Sequence, residues 1–156
     1  MSRIKRPKHA KRGRPDSVLF LCGRNEIRSP IAEMLARRFL PQSVFVTSAG
    51  VREGSRNGFV DSVLAELDLS LGDREPRTLS EVEDTYFDLI VTLSPEAHHC
   101  ALELTRHMAV EVEYWPTLDP SVVEGSRDQV LEAYRRVRDG LAEQIIERFG
   151  EGVRQV

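Results

Sequence analysis

The chain has 156 residues, enough for one domain with a real core, and its 40% apolar and 30% charged residues read as soluble and globular. No apolar run approaches the length of a membrane span, and two cysteines are too few for a disulfide framework. Charge is uneven: residues 1–16 hold seven of the 22 basic residues and one acid, Asp16, whereas the rest carries 15 basic and 24 acidic residues, a net of about −9.

The first segment has almost nothing to bury, so residues 1–16 read as a disordered basic tail. It has no aromatics and no apolar stripe, so contact with nucleic acid would come only through this tail and by charge alone. Residues 18–21 (Val-Leu-Phe-Leu) form a continuous apolar run suited to a strand buried on both faces of a parallel sheet. Pro30 then predicts a helix start, with proline at the first position and Ile31, Met34, Leu35 and Phe39 at helical spacing.

Residues 22–28 are therefore a tight strand-to-helix loop. In such a loop successive backbone N–H groups can turn inward around an anion while the positive end of the helix dipole points at the same spot. This setting favours an anionic, nucleophilic sulfur on Cys22. Arg28, six residues on, supplies a planar fork for two oxygens of a phosphoryl group, and Ser29 is placed to hydrogen-bond the sulfur. The backbone of Gly23, Arg24, Asn25, Glu26, Ile27, Arg28 and Ser29 would line the cradle. Cys-x5-Arg-Ser is the spacing that in-line attack on a phosphoryl group requires. The blander alternative is a small buried cysteine at a strand end followed by a solvated arginine.

Past Pro41, residues 44–46 read as a second strand, and Ser48-Ala49-Gly50 follows it. Phe59, Val60, Val63, Leu64 and Leu67 predict a second amphipathic helix, and residues 79–84 one short helical turn. Residues 87–93 are a third strand. Ser94-Pro95 opens a helix with a cap and a first-position proline, and its buried face carries Ala97, Cys100, Ala101 and Leu104. Residues 110–114 alternate as a fourth strand, at an edge. A capping box of Ser126 and Gln129 starts a long last helix that ends at Gly150. Strands alternating with helices imply a single α/β domain over residues 17–150, a parallel sheet with helices on both faces and a site at the carboxyl ends of the strands. Residues 151–156 are left as a short C-terminal tail.

Asp119, in the loop after the fourth strand, is the second chemical feature. Phosphoryl transfer to sulfur needs a proton for the departing alkoxide or phenoxide, then a base to activate water, and Asp119 can serve both steps. An ordinary Asp-Pro turn is the alternative. His98-His99-Cys100 does not form a metal site, since adjacent helical residues point about 100° apart. No metal and no cofactor is expected.

Residues 18–22, Asn25 and the run from Arg28 to Glu33 resemble the loop of the low-molecular-weight protein tyrosine phosphatases and the related thioredoxin-type arsenate reductases. The resemblance implies a four-stranded sheet in the order 2-1-3-4 and a cytoplasmic phosphate-monoester hydrolase acting through a phosphocysteine. It further implies that Ser48 braces Asn25 behind the loop, with Asn25 and Ser29 as supports, and that Asp119-Pro120 is the general-acid dipeptide. Its substrates would be phosphorylated protein, phosphotyrosine above all, or a small aryl phosphate, and phosphate, sulfate or arsenate would occupy the loop.

Several residues depart from the family pattern. Cys22-Gly23-Arg24-Asn25 moves the loop glycine one place earlier, Glu26 is unusual beside a dianion, Arg74 stands where the family has a histidine, and Ser121, Val122 and Val123 replace tyrosines that follow Asp-Pro. Two other functions are therefore carried forward: arsenate reduction in the same cradle, with Cys100 near a resolving position or with external thiols, and phosphate binding without turnover.

Overall fold

The computed structural model describes residues 14–82 and 86–150. The expected basic tail, apart from residues 14–16, and the C-terminal tail lie outside the described residues. In chain order the elements are β1 (Ser17–Cys22), α1 (Arg28–Phe39), β2 (Phe45–Gly50), α2 (Gly58–Ala65), β3 (Leu89–Thr92), α3 (Pro95–Leu104), β4 (Glu111–Tyr114) and α4 (Arg127–Phe149), with short 3-10 turns at Leu79–Glu81 and Pro120–Val122.

The four strands form one parallel sheet in the order β2-β1-β3-β4. Every residue of β1 is buried, as its unbroken apolar run requires of a central strand. The period of two divides its side chains. Val18, Phe20 and Cys22 join the larger core with Ile31, Leu35, Val60, Leu64, Tyr134 and Leu141 from α1, α2 and α4. Leu19 and Leu21 face a smaller core with Ala97 and Ala101 of α3. The expected α/β sandwich with helices on both faces and the expected strand order are thus present.

Local signals act as anticipated at three helix ends. Ser94 accepts a hydrogen bond from the Ala97 N–H at 3.2 Å ahead of Pro95, Ser126 and Gln129 form a reciprocal capping box, and Gly150 caps α4. Other details shift. Helix α1 starts at Arg28, so Pro30 is its third residue and not its first; the opening N–H groups of a helix have no partner within it, and proline costs nothing there either. Helix α2 ends at Ala65, leaving Leu67 to pack on the core from the following turn. Cys100 is only half-buried on α3.

Because all strands run the same way, Cys22, Gly50, Thr92 and Tyr114 all lie at one end of the sheet. The loops that leave this end carry the site.

Candidate active site

The loop after β1 is held open around Cys22 by bonds at its back. Cys22 Sγ lies 2.9 Å from Ser29 Oγ and accepts the Asn25 N–H at 3.3 Å. Asn25 sits at φ 60°, a left-handed turn that asparagine tolerates better than most residues. Its side-chain amide donates to Ser29 Oγ and to Ser48 Oγ, each at 2.9 Å, and its Oδ1 accepts the Arg77 N–H at 3.0 Å. Those bonds hold the turn in its unusual conformation. Gly50 is required behind it: a Cβ there would meet the Arg24 carbonyl carbon at 2.5 Å and Asn25 N at 2.7 Å.

One layer deeper is a buried carboxylate that the sequence reading missed. Glu33 is fully buried on α1; its Oε1 accepts from Ser48 Oγ at 2.6 Å, and Arg74 grips both oxygens at 2.7 and 2.8 Å. Arg37 pairs with it at 2.6 Å and Arg77 approaches to 3.8 Å. Burial, and then the neighbouring Arg74 charge, lower the pKa of Arg77. An acid among Ile31, Ala32, Leu35 and Ala36 on the apolar face of a helix was the available signal, since a buried charge needs partners. Arg74, noted in the sequence only as replacing a histidine, supplies the main one.

The front of the loop opens into a cleft of about 450 Å³. Cys22, Gly23, Arg24, Glu26, Ile27, Arg28 and Asp119 line it, whereas Asn25, Ser29 and Ser48 lie behind the loop. Arg28 donates from Nη1 to the Thr117 carbonyl at 3.1 Å, and its Nη2 lies 4.0 Å from Asp119 Oδ2. Its Nε is buried without a hydrogen-bond partner among the described residues, a donor that a bound oxyanion would satisfy. Asp119 is fixed through its other oxygen, which accepts the Ser121 N–H at 2.9 Å and Ser121 Oγ at 2.7 Å. Glu26 is tethered in the cleft wall by accepting the Ser55 N–H at 2.9 Å. Ser121, one of the residues that replace the family's tyrosines, completes the walls with Arg52, Ser94, Pro95 and Glu96, and these last four were not anticipated.

Nearby features are structural. Trp115 is buried edge-on against Phe20 at 6.0 Å, and His98 stacks on Tyr114 at 4.4 Å with its Nδ1 3.0 Å from Thr92 Oγ. A larger and more apolar groove, about 780 Å³, lies between the 116–123 loop and α4, but contains neither Cys22 nor Arg28.

The sequence profile of the low molecular weight phosphotyrosine protein phosphatases matches residues 17–155. The chain belongs to this family. Within it, an arsenate reductase of Bacillus licheniformis is 28% identical over 135 residues, covering 86% of this chain and 95% of that protein. An arsenate reductase of Archaeoglobus fulgidus has a solved structure at 28% identity and a TM-score of 0.65, covering 86% of this chain and 99% of that one. A tyrosine phosphatase of Erwinia amylovora shares the fold at 21% identity and a TM-score of 0.69, over 91% and 95% of the two chains. Members of the family therefore carry both names on one scaffold.

Proposed function

We propose that the protein hydrolyses phosphate monoesters, phosphotyrosine in proteins or a small aryl phosphate, through a phosphocysteine on Cys22. One observation carries this reading: a cysteine sulfur and a carboxylate line the same cleft as an arginine that bonds the carboxylate's own loop and retains a buried donor without a partner among the described residues. In the first step the Cys22 thiolate attacks phosphorus while the P–O ester bond breaks, and Asp119 Oδ2 gives its proton to the leaving oxygen. The loop N–H groups and Arg28 hold the equatorial oxygens throughout. In the second step the Asp119 carboxylate takes a proton from water, the water oxygen attacks phosphorus, and the S–P bond breaks to return thiolate and inorganic phosphate. Ser29, 2.9 Å from the sulfur, donates to it as leaving group.

The names of the relatives favour a second reading, arsenate reduction. There the thiolate would form a sulfur–arsenic(V) adduct, and a second thiol attacking Cys22 Sγ would expel arsenite and leave a disulfide. Cys100 does not line the cleft, and burial raises its pKa, with Glu96 and Glu103 adding to the effect. This reading therefore uses an external thiol.

The two are separated by offering the purified protein para-nitrophenyl phosphate and, separately, arsenate with several thiol reductants. The expected result is phosphate release that survives chelators and is abolished in Cys22→Ser. Thiol-dependent arsenite formation with no phosphate release supports the second reading, and oxyanion binding with neither product supports a binding module.

A further inference from the structure

The arginines at the rim of the cleft are left over by the mechanism above. Arg28 belongs to the cradle, but Arg24 and Arg52 open onto the same space from the opposite side to Asp119's loop, on the β1–α1 and β2–α2 connections. Arg52 is held by a two-pronged bond to Glu96, Nε to Oε2 at 2.7 Å and Nη2 to Oε1 at 2.9 Å. Both side chains are about half exposed, so the pair is worth little as a stabilising contact.

Its placement is more specific than its strength. A Cβ on Gly23, the residue after the nucleophile, would stand 3.3 Å from Glu96 Oε1 and 3.9 Å from Arg52 Nη2. The ion pair thus rests directly against the first turn of the phosphate loop, and the glycine displaced to position 23 makes room for it. Arg52, and to a lesser degree Arg24 and Arg28, lower the pKa of Glu96, so three guanidinium groups act on this one rim carboxylate. Glu96 uses only Nε and Nη2 of Arg52; Nη1 has no partner among the described residues. Arg24 gives its Nη1 to the Glu53 carbonyl at 2.9 Å and keeps its other donors.

We propose that Arg52, oriented by Glu96 and flanked by Arg24, is a specificity-determining residue that binds a carboxylate beside the scissile phosphate. The preferred substrates are phosphopeptides with aspartate or glutamate next to the phosphorylated residue. The inference rests on the hydrolytic reading above. It follows from what the rim contains: no aromatic side chain lines the cleft, Ile27 and Pro95 are its apolar walls, and the remaining donors on the Arg52 side are guanidinium N–H groups. A planar fork with free donors recognises carboxylates through charge-assisted bonds, whereas an aromatic rim would favour the tyrosyl ring irrespective of its neighbours. Three arginines and three carboxylates, Glu26, Glu96 and Asp119, line the cleft, so the preference comes from direct bonds to the free donors of Arg52 and Arg24 and not from a net positive field.

Three phosphotyrosyl peptides of one length, flanked by two glutamates, two alanines or two lysines, test this. The glutamate peptide is expected to show a KM about three- to tenfold below the alanine peptide, and the lysine peptide the highest KM, with a gap that narrows as salt is raised. Arg52→Ala brings the glutamate-to-alanine ratio close to one, Arg52→Lys retains part of it, and Arg52→Glu inverts it. A wild type indifferent to the flanking charge, or an Arg52→Ala that keeps the full preference, overturns the proposal. Calorimetric titration of the same peptides onto Cys22→Ser gives the order of Kd without turnover. Failure of hydrolysis with the order preserved removes the phosphatase reading alone; peptides that bind in any other order, or not at all, remove this one.

Discussion

The two sides of the loop between β1 and α1 are built on opposite principles. Behind it, Asn25, Ser29, Ser48 and Glu33 are all buried, and each side chain is bonded to the next, ending in the Arg74 fork. In front of it, Arg24, Arg52, Glu96 and Asp119 are partly or largely open to solvent and keep donors and acceptors in reserve. Buried polar groups are costly unless fully paired, and once paired they fix one geometry. Exposed charges cost little and exchange partners readily. The back therefore sets where the sulfur and the N–H groups stand, and the front decides what is presented to them.

Breaking the back should have the largest effect. Glu33→Gln leaves Arg74 and Arg37 without their carboxylate, and chemical denaturation is expected to show a loss of about 3 kcal/mol, the range for one half of a buried ion pair removed. A loss below 0.5 kcal/mol, within the scatter of surface substitutions, would mean that the cluster is not a structural support. Next comes Asp119→Asn, which should slow transfer of the phosphoryl group to sulfur, read as kcat/KM, by about 10²-fold or more for alkyl phosphates and hardly at all for activated aryl phosphates, because a good leaving group needs little protonation. An equal loss across leaving groups would remove the acid role.

Ser48→Ala severs a single link, between Glu33 and Asn25. The expected cost is about 1–2 kcal/mol of stability with a fall in kcat of roughly tenfold, since the turn that carries the Asn25 N–H loosens. A stability loss with kcat untouched would show that the loop needs no bracing from this side. The smallest effect lies far from the site. Glu66 has its pKa lowered to about 2 by hydrogen bonds from Arg135 and Arg138. A depressed carboxylate contributes stability that is present above its ordinary pKa of 4.5 and fades as pH falls through about 2, so Glu66→Gln should narrow its small deficit to the wild type under strongly acid conditions. A deficit independent of pH would contradict the assignment.

What the sequence revealed follows the same division between local and distant contacts. Cys22, Arg28 and Ser29 share one strand–loop–helix segment, so residue type and spacing were sufficient to bring them together, and Ser94 and Ser126 announced their helices through capping chemistry three residues long. Asp119 was legible because parallel strands put every following loop at one end. Pairs made by tertiary contact were not. Glu33 and Arg74 are 41 residues apart and Arg52 and Glu96 44, and no local pattern links either pair. The position of Pro30 was misplaced by two residues because proline is as acceptable at the third helical position as at the first.

The central claim is that Cys22 carries the phosphoryl group. Rapid-quench sampling during turnover of an aryl phosphate, followed by digestion and mass spectrometry of the peptide spanning Cys22, reads this directly. The account predicts phosphate on the Cys22 sulfur, formed within the first turnover and accumulating further in Asp119→Asn with an activated substrate, where attack by water is slowed. Steady phosphate release with Cys22 unmodified, or with the label on another side chain, would contradict it.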